Sequence, residues 1–69
     1  MTELSHSAVE RILKKAGAGR ISADATATLA DLMEEYGIFL AKEAKKMSDH
    51  AGRKTVRSSD VIMAAEMFK

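Results

Sequence analysis

Cysteine, proline and tryptophan are absent from this chain of 69 residues. Without cysteine it forms no disulfide and offers no thiolate to a metal. His6 and His50 stand far apart in sequence, which gives no metal-ligand spacing, so neither a metal nor another cofactor is expected. Without proline, nothing breaks a helical run. No apolar stretch approaches the roughly 20 residues of a membrane span, and the first residues lack a signal-peptide core. The expectation is a soluble intracellular protein without a membrane partner. Charge of one sign is scarce too: 11 Lys and Arg against 10 Asp and Glu leave a net +1, a weak argument for nucleic acid by itself. Neither a Ser, His and carboxylate cluster nor a phosphate-loop or dinucleotide fingerprint occurs, so no catalytic residue and no enzyme is expected.

What is present is amphipathic helix. Ser7 and Glu10 have the spacing of a capping box, and Val9, Ile12, Leu13 and Ala16 then recur at helical spacing until Gly17. Ser22 suits the N-cap of a second helix with an apolar stripe of Ala25, Leu29, Leu32, Met33, Tyr36, Leu40, Ala44 and Met47, ending at Gly52. That helix is about 42 Å long, whereas a compact chain of this size has a diameter of roughly 28 Å. It cannot be buried within its own monomer. Ser58 is a third N-cap candidate, before a helix carrying Val61, Ala64, Ala65 and Phe68 on one face. A single all-α domain over residues 1–69 is expected, in the order short helix, loop, long helix, loop, short helix. A lone core below roughly 70–80 residues rarely supplies more than about 3–5 kcal/mol, so oligomerisation is the remaining source of stability.

Placement of the cations says more than their number. Arg11, Lys14, Lys15 and Arg20 lie in or just after the first helix, and Arg53, Lys54 and Arg57 lie in the second loop. In His50-Ala51-Gly52-Arg53-Lys54-Thr55-Val56, Gly52 can end a helix in the left-handed conformation and leave two cations and a hydroxyl on the turn. Ser58-Ser59-Asp60-Val61 follows, and Arg53 with Asp60 can close the loop as a charge-assisted pair. Together with Val9 to Ala18 and Arg20-Ile21-Ser22, these segments resemble the archaeal histones, whose central fold is similar to that of the eukaryotic core histones.

The resemblance covers nearly the whole chain and implies a histone fold, assembled as an intertwined handshake dimer. Ile21 and Val56, β-branched residues in the two loops, would pair as short strands with the partner's opposite loops. It further implies an architectural role on the chromosome or nucleoid in the cytoplasm, in which double-stranded DNA is bent, wrapped and compacted into nucleosome-like or extended assemblies with little sequence preference. DNA contacts would come from Arg11, Lys14, Lys15, Arg20, Ser22, Arg53, Lys54, Thr55 and Arg57, with Arg20 entering the minor groove. Met47, Asp49, His50, Asp60 and Met63 would join dimers, His50 pairing with Asp60 of another dimer. A homodimer is expected, with a heterodimer with another histone left open. The alternative is a histone-fold subunit of a transcription-regulatory complex acting mainly through protein partners; a helical dimerisation module that binds no DNA fits less well with Arg20, Lys54 and Thr55.

Three features depart from the archaeal pattern. Asp49 stands where relatives usually carry a cation, and puts an acid near the expected dimer junction. Phe39 flanks the apolar stripe, but Ile38 points opposite to it, among Asp31, Glu34, Lys42 and Lys45. The prolines common in relatives are missing from residues 2–7, which leaves the approach to the first helix less fixed.

Overall fold

The structure, a computed structural model, describes residues 3–68; Met1, Thr2 and Lys69 of the expected 1–69 domain lie outside the described residues. Three helices follow one another, α1 (His6–Lys15), α2 (Ala23–His50) and α3 (Ser58–Glu66), with no strand among the described residues. This is the all-α, short-long-short order of the histone fold. Packing separates two compact units, Met1–Glu35 and Tyr36–Lys69, with the boundary inside α2.

In the first unit, α1 starts earlier than the capping-box spacing predicts. Ser5, not Ser7, is the N-cap, its hydroxyl accepting the Ala8 N–H at 3.3 Å. Ser7 sits inside the first turn with its Oγ 3.0 Å from that of Ser5. Starting at Ser5 adds a further backbone bond, Val9 N–H to the Ser5 carbonyl at 3.1 Å, and frees Glu10 to pair forward with Lys14 at 3.5 Å. The segment before the helix is tethered as well, since the Glu3 N–H donates to Glu34 Oε1 at 2.7 Å. Missing prolines therefore do not leave Glu3 and Ser5 without anchors. Val9, Thr26 and Ala30 are buried here, so α1 lies close against small side chains of α2. Leu13 is half-buried, while Ile12 and Ala16, expected on the same apolar face, stay exposed.

The second unit repeats this economy with Ala44, Ser48, Asp60 and Ala64. In each unit α2 contributes one small apolar residue and one hydroxyl a turn apart, and the hydroxyl bonds back into its own helix. Thr26 Oγ1 donates to the Ser22 carbonyl at 3.4 Å and Ser48 Oγ to the Lys45 carbonyl at 3.0 Å. Burying a hydroxyl without such a partner would cost free energy. Phe39 and Phe68 meet edge to face with ring centroids 4.6 Å apart, so the residue flanking the stripe does have a partner in its own chain.

The chain covers the predicted stripe of α2 only in part. Ala44 is buried and Leu29, Met33, Leu40 and Met47 are half-buried, whereas Ala25 is exposed, Leu32 stays 55% exposed and Tyr36 51% exposed. On α3, Ala64 is buried and Ala65 half-buried, but Val61 and Phe68 remain exposed. The reason is a matter of size: short helices approach α2 most closely over small residues, and the bulky apolar side chains are left on adjoining surface. Large apolar area on the surface of so small a chain marks an interaction face.

Candidate nucleic-acid interface

The two basic loops are built by the same device. At the end of α1, Gly17 has φ +101°, its N–H donates to the Lys14 carbonyl at 2.9 Å, and the Ala18 N–H reaches the Leu13 carbonyl at 3.1 Å. At the end of α2, Gly52 has φ +72°, its N–H donates to the Asp49 carbonyl at 3.0 Å, and the Arg53 N–H reaches the Ser48 carbonyl at 2.9 Å. Both are Schellman caps, which satisfy terminal carbonyls and turn the chain sharply out of the helix.

Beyond the caps the loops differ. The first runs through exposed Gly19 and Arg20 and half-buried Ile21 to Ser22, whose hydroxyl accepts the Ala25 N–H at 3.1 Å and so caps α2. In the second, the Arg53 guanidinium grips Asp60 with both arms, at 3.1 and 2.9 Å, and also donates to the Thr55 carbonyl at 3.0 Å. Asp60 is 3% exposed and additionally accepts the Arg57 N–H at 2.9 Å. Arg57, rather than Ser58, occupies the N-cap position of α3, in extended conformation. An arginine side chain has no acceptor, so it is Asp60, reaching back to the Arg57 N–H, that supplies the cap; Ser58 becomes the first helical residue. The bonds from Arg53, then that from the Arg57 backbone, hold the Asp60 carboxyl below the ordinary Asp range, and the carboxylate in turn pushes Arg53 up.

These contacts sort the cations. Arg53 is turned into its own loop, with a side chain only 24% exposed. Lys54, Thr55 and Arg57 are exposed on that loop, and Arg20 on the other. On α1, Arg11 and Lys15 are exposed, and exposed Lys14 pairs with Glu10; Lys14 and Lys15 also suit the negative end of the α1 dipole. Among the described residues, no group of His, Asp and Glu is placed to hold a metal ion, and no helix is long and apolar enough to cross a membrane.

A family model for histone-like transcription factors of the CBF/NF-Y type and archaeal histones matches residues 2–65. The chain belongs to that family. It is 46% identical over 66 residues to a subunit of the archaeal histone HAN1 of Thermococcus zilligii, covering 96% of this chain and 98% of that one. It is 43% identical over 64 residues to probable archaeal histone 3 of Methanocaldococcus jannaschii, covering 93% and 96%.

Within this histone-fold chain, the residues expected between dimers all fall in the second unit. Met47 is half-buried, whereas His50 and Met63 are exposed. Exposed Asp49 is held by Lys45 at 2.8 Å, an ion pair that the i, i+4 spacing allows. The tethers from Glu3 to Glu34 and from Arg53 to the Thr55 carbonyl carry no comparable sequence signal, because each depends on how a loop is folded.

Proposed function

We propose that this histone-fold protein is architectural: a dimer that binds double-stranded DNA through phosphates, bends it, and builds larger wrapped assemblies on it. The observation that carries this reading is the contrast between Arg53, locked inside its loop, and Arg20, Lys54, Thr55 and Arg57, left outward on two capped loops. A guanidinium used to brace a loop leaves the other cations at fixed positions, which suits contacts to a regular phosphate array. Arg11, Lys14 and Lys15 add further cations on α1, in the same unit as Arg20. Ser22 joins as a hydroxyl donor, since phosphate oxygens only accept, while its own oxygen accepts the cap bond. Arg20, exposed on the open loop after Gly19, is the residue for minor-groove entry.

The whole chain acts as one histone-fold domain, with the exposed stripe of Leu32 and Tyr36 covered by a partner's α2 in a handshake dimer. A homodimer satisfies this requirement; a heterodimer with another histone has the support of a relative whose name is that of a subunit. Between dimers, Met47, Met63 and His50 supply the contact. Asp60 takes part through Oδ1, which receives one hydrogen bond within the chain where Oδ2 receives two. Such a role places the protein on the chromosome and needs no catalysis.

The test is the salt dependence of binding to random-sequence duplexes. A dimer neutralising about six phosphates gives a log-log slope near −5, with little variation among sequences apart from the cost of bending them. A flat response, or strong discrimination by single base changes, would defeat the reading and favour the alternative, a subunit working through protein partners.

A further inference from the structure

The outward stripe of α2 that runs through Asp31, Glu34, Ile38, Lys42 and Lys45 takes no part in the DNA contacts proposed above. Its spacing about Ile38 is symmetric in position and opposite in charge: an acid one turn before it and a cation one turn after, an acid two turns before and a cation two turns after. Ile38 is 51% exposed, Asp31, Lys42 and Lys45 are exposed, and Glu34 is half-buried. The stripe belongs to one continuous helix, so its register is that of the helix alone.

Ordinary helix energetics account for only part of this order: Lys45 and Lys46 find acids in their own helix, Lys46 at 3.1 Å from Glu43, whereas Asp31 and Lys42 are not explained that way. Asp31, Glu34 and Glu35 are like-charged neighbours at three- and four-residue spacing, as are Lys42, Lys45 and Lys46, and such pairs weaken a helix. The helix dipole does not reward Asp31 and Glu34, which lie beyond the first turn, where its influence fades. Neighbours of opposite sign within the stripe are separated by apolar Ile38, too far apart to pair with each other. Lys45 pairs with Asp49 at 2.8 Å and Glu34 with the Glu3 N–H at 2.7 Å; each retains capacity for a second bond.

We infer that this face docks on the same face of a second copy, antiparallel and centred on a two-fold axis at Ile38. The two Ile38 side chains then meet on the axis, each Glu34 faces the other copy's Lys42, and each Asp31 faces its Lys45. A face that is self-complementary under a two-fold is the requirement for an isologous contact. The stripe spans about 21 Å, and one helix laid on another buries less than the roughly 1,200 Å² of a standard interface. The contact therefore forms between copies already held close together. A dimer carries the face twice, so the contact extends an assembly instead of closing it; that consequence rests on the dimer proposed above, whereas the contact itself does not.

Because the chain has no cysteine, single-cysteine variants report the register directly. Ile38→Cys, oxidised mildly at high protein concentration with and without duplex DNA, should form a covalent dimer about tenfold faster than Lys46→Cys, whose copies would sit about 24 Å apart in this register. Adding Glu34→Lys to Ile38→Cys should slow crosslinking about tenfold, since it converts two attractions into two repulsions; adding Lys42→Glu as well should restore it. Equal rates for Ile38→Cys and Lys46→Cys, or a charge swap that fails to restore, would overturn the contact. DNA affinity is measured on the same variants and depends on residues that none of them alters, so failure of the contact and failure of the DNA reading are separate results.

Discussion

The two basic loops begin alike and end differently, and the difference lies in what each does with its arginine. Both leave their helix through a glycine with positive φ and two backbone bonds. After that, the loop before α3 is closed by a buried carboxylate that holds one guanidinium and one backbone N–H. Among the described residues the loop before α2 has no ion pair, and its arginine, Arg20, stays outside. One loop is braced by its own arginine; the other leaves its arginine exposed. Position in a basic loop therefore does not by itself make an arginine a phosphate ligand.

The largest effect on this contrast is expected from Asp60→Asn, which keeps the size of the side chain but removes the charge that both arms of Arg53 grip. It should lower the melting temperature well beyond Arg20→Ala or Lys54→Ala, because Arg53 is left half-buried without its counter-charge. Acid should reproduce the loss in the unaltered protein. Folding holds the Asp60 carboxyl below its ordinary value of 3.8, so its contribution is complete above that value and is lost as pH falls through the lower folded value. Thermal melts from pH 7 downward check both points: the Asn variant should lack this part of the acid destabilisation, and a variant that melts like the parent across the range would show that the brace contributes nothing.

How far the sequence made these features legible depends on the range of the interaction. The three helices, both glycine caps and the Arg53 to Asp60 pair follow from spacing, because the partners are close in sequence. Helix starts were less legible: Ser7 and Ser58 each satisfied a local rule, but Ser5 offered α1 a further backbone bond, and Asp60 could cap α3 from inside it. The buried face of α2 was the least legible. Periodicity finds the large apolar residues, yet a chain too small to cover them all buries Thr26, Ala30 and Ser48, outside the stripe, and only Ala44 within it. The stripe of Leu32 and Tyr36 reads as core because it awaits a partner, which no single chain supplies.

A smaller effect, equal in the two loops, is expected where they are alike. Gly17→Ala and Gly52→Ala meet no atom within 4 Å of the added Cβ, so the cost is backbone strain alone, about 1–2 kcal/mol each. Denaturant melts should show similar losses at both positions. A much larger loss at Gly52 would mean that the brace at Asp60 tolerates less backbone adjustment than the open loop does.

The smallest effect on folding, and the one that separates bracing from binding, is expected from Arg20→Ala and Lys54→Ala. Both side chains are exposed, and an exposed cation contributes little to stability. Helicity and melting temperature should stay close to the parent's. Affinity for duplex DNA should fall nonetheless, and each substitution, present twice in a dimer, should flatten the salt slope by about two. Arg53→Ala should behave in the opposite way, losing stability first and DNA affinity only as a consequence of the disordered loop. Stabilising osmolyte distinguishes the two cases, since it favours burial: it should recover DNA binding by the Arg53 variant and leave the Arg20 and Lys54 variants as weak as before. If Arg20→Ala instead unfolds the protein, the open loop is not open, and its arginine serves the fold as Arg53 does.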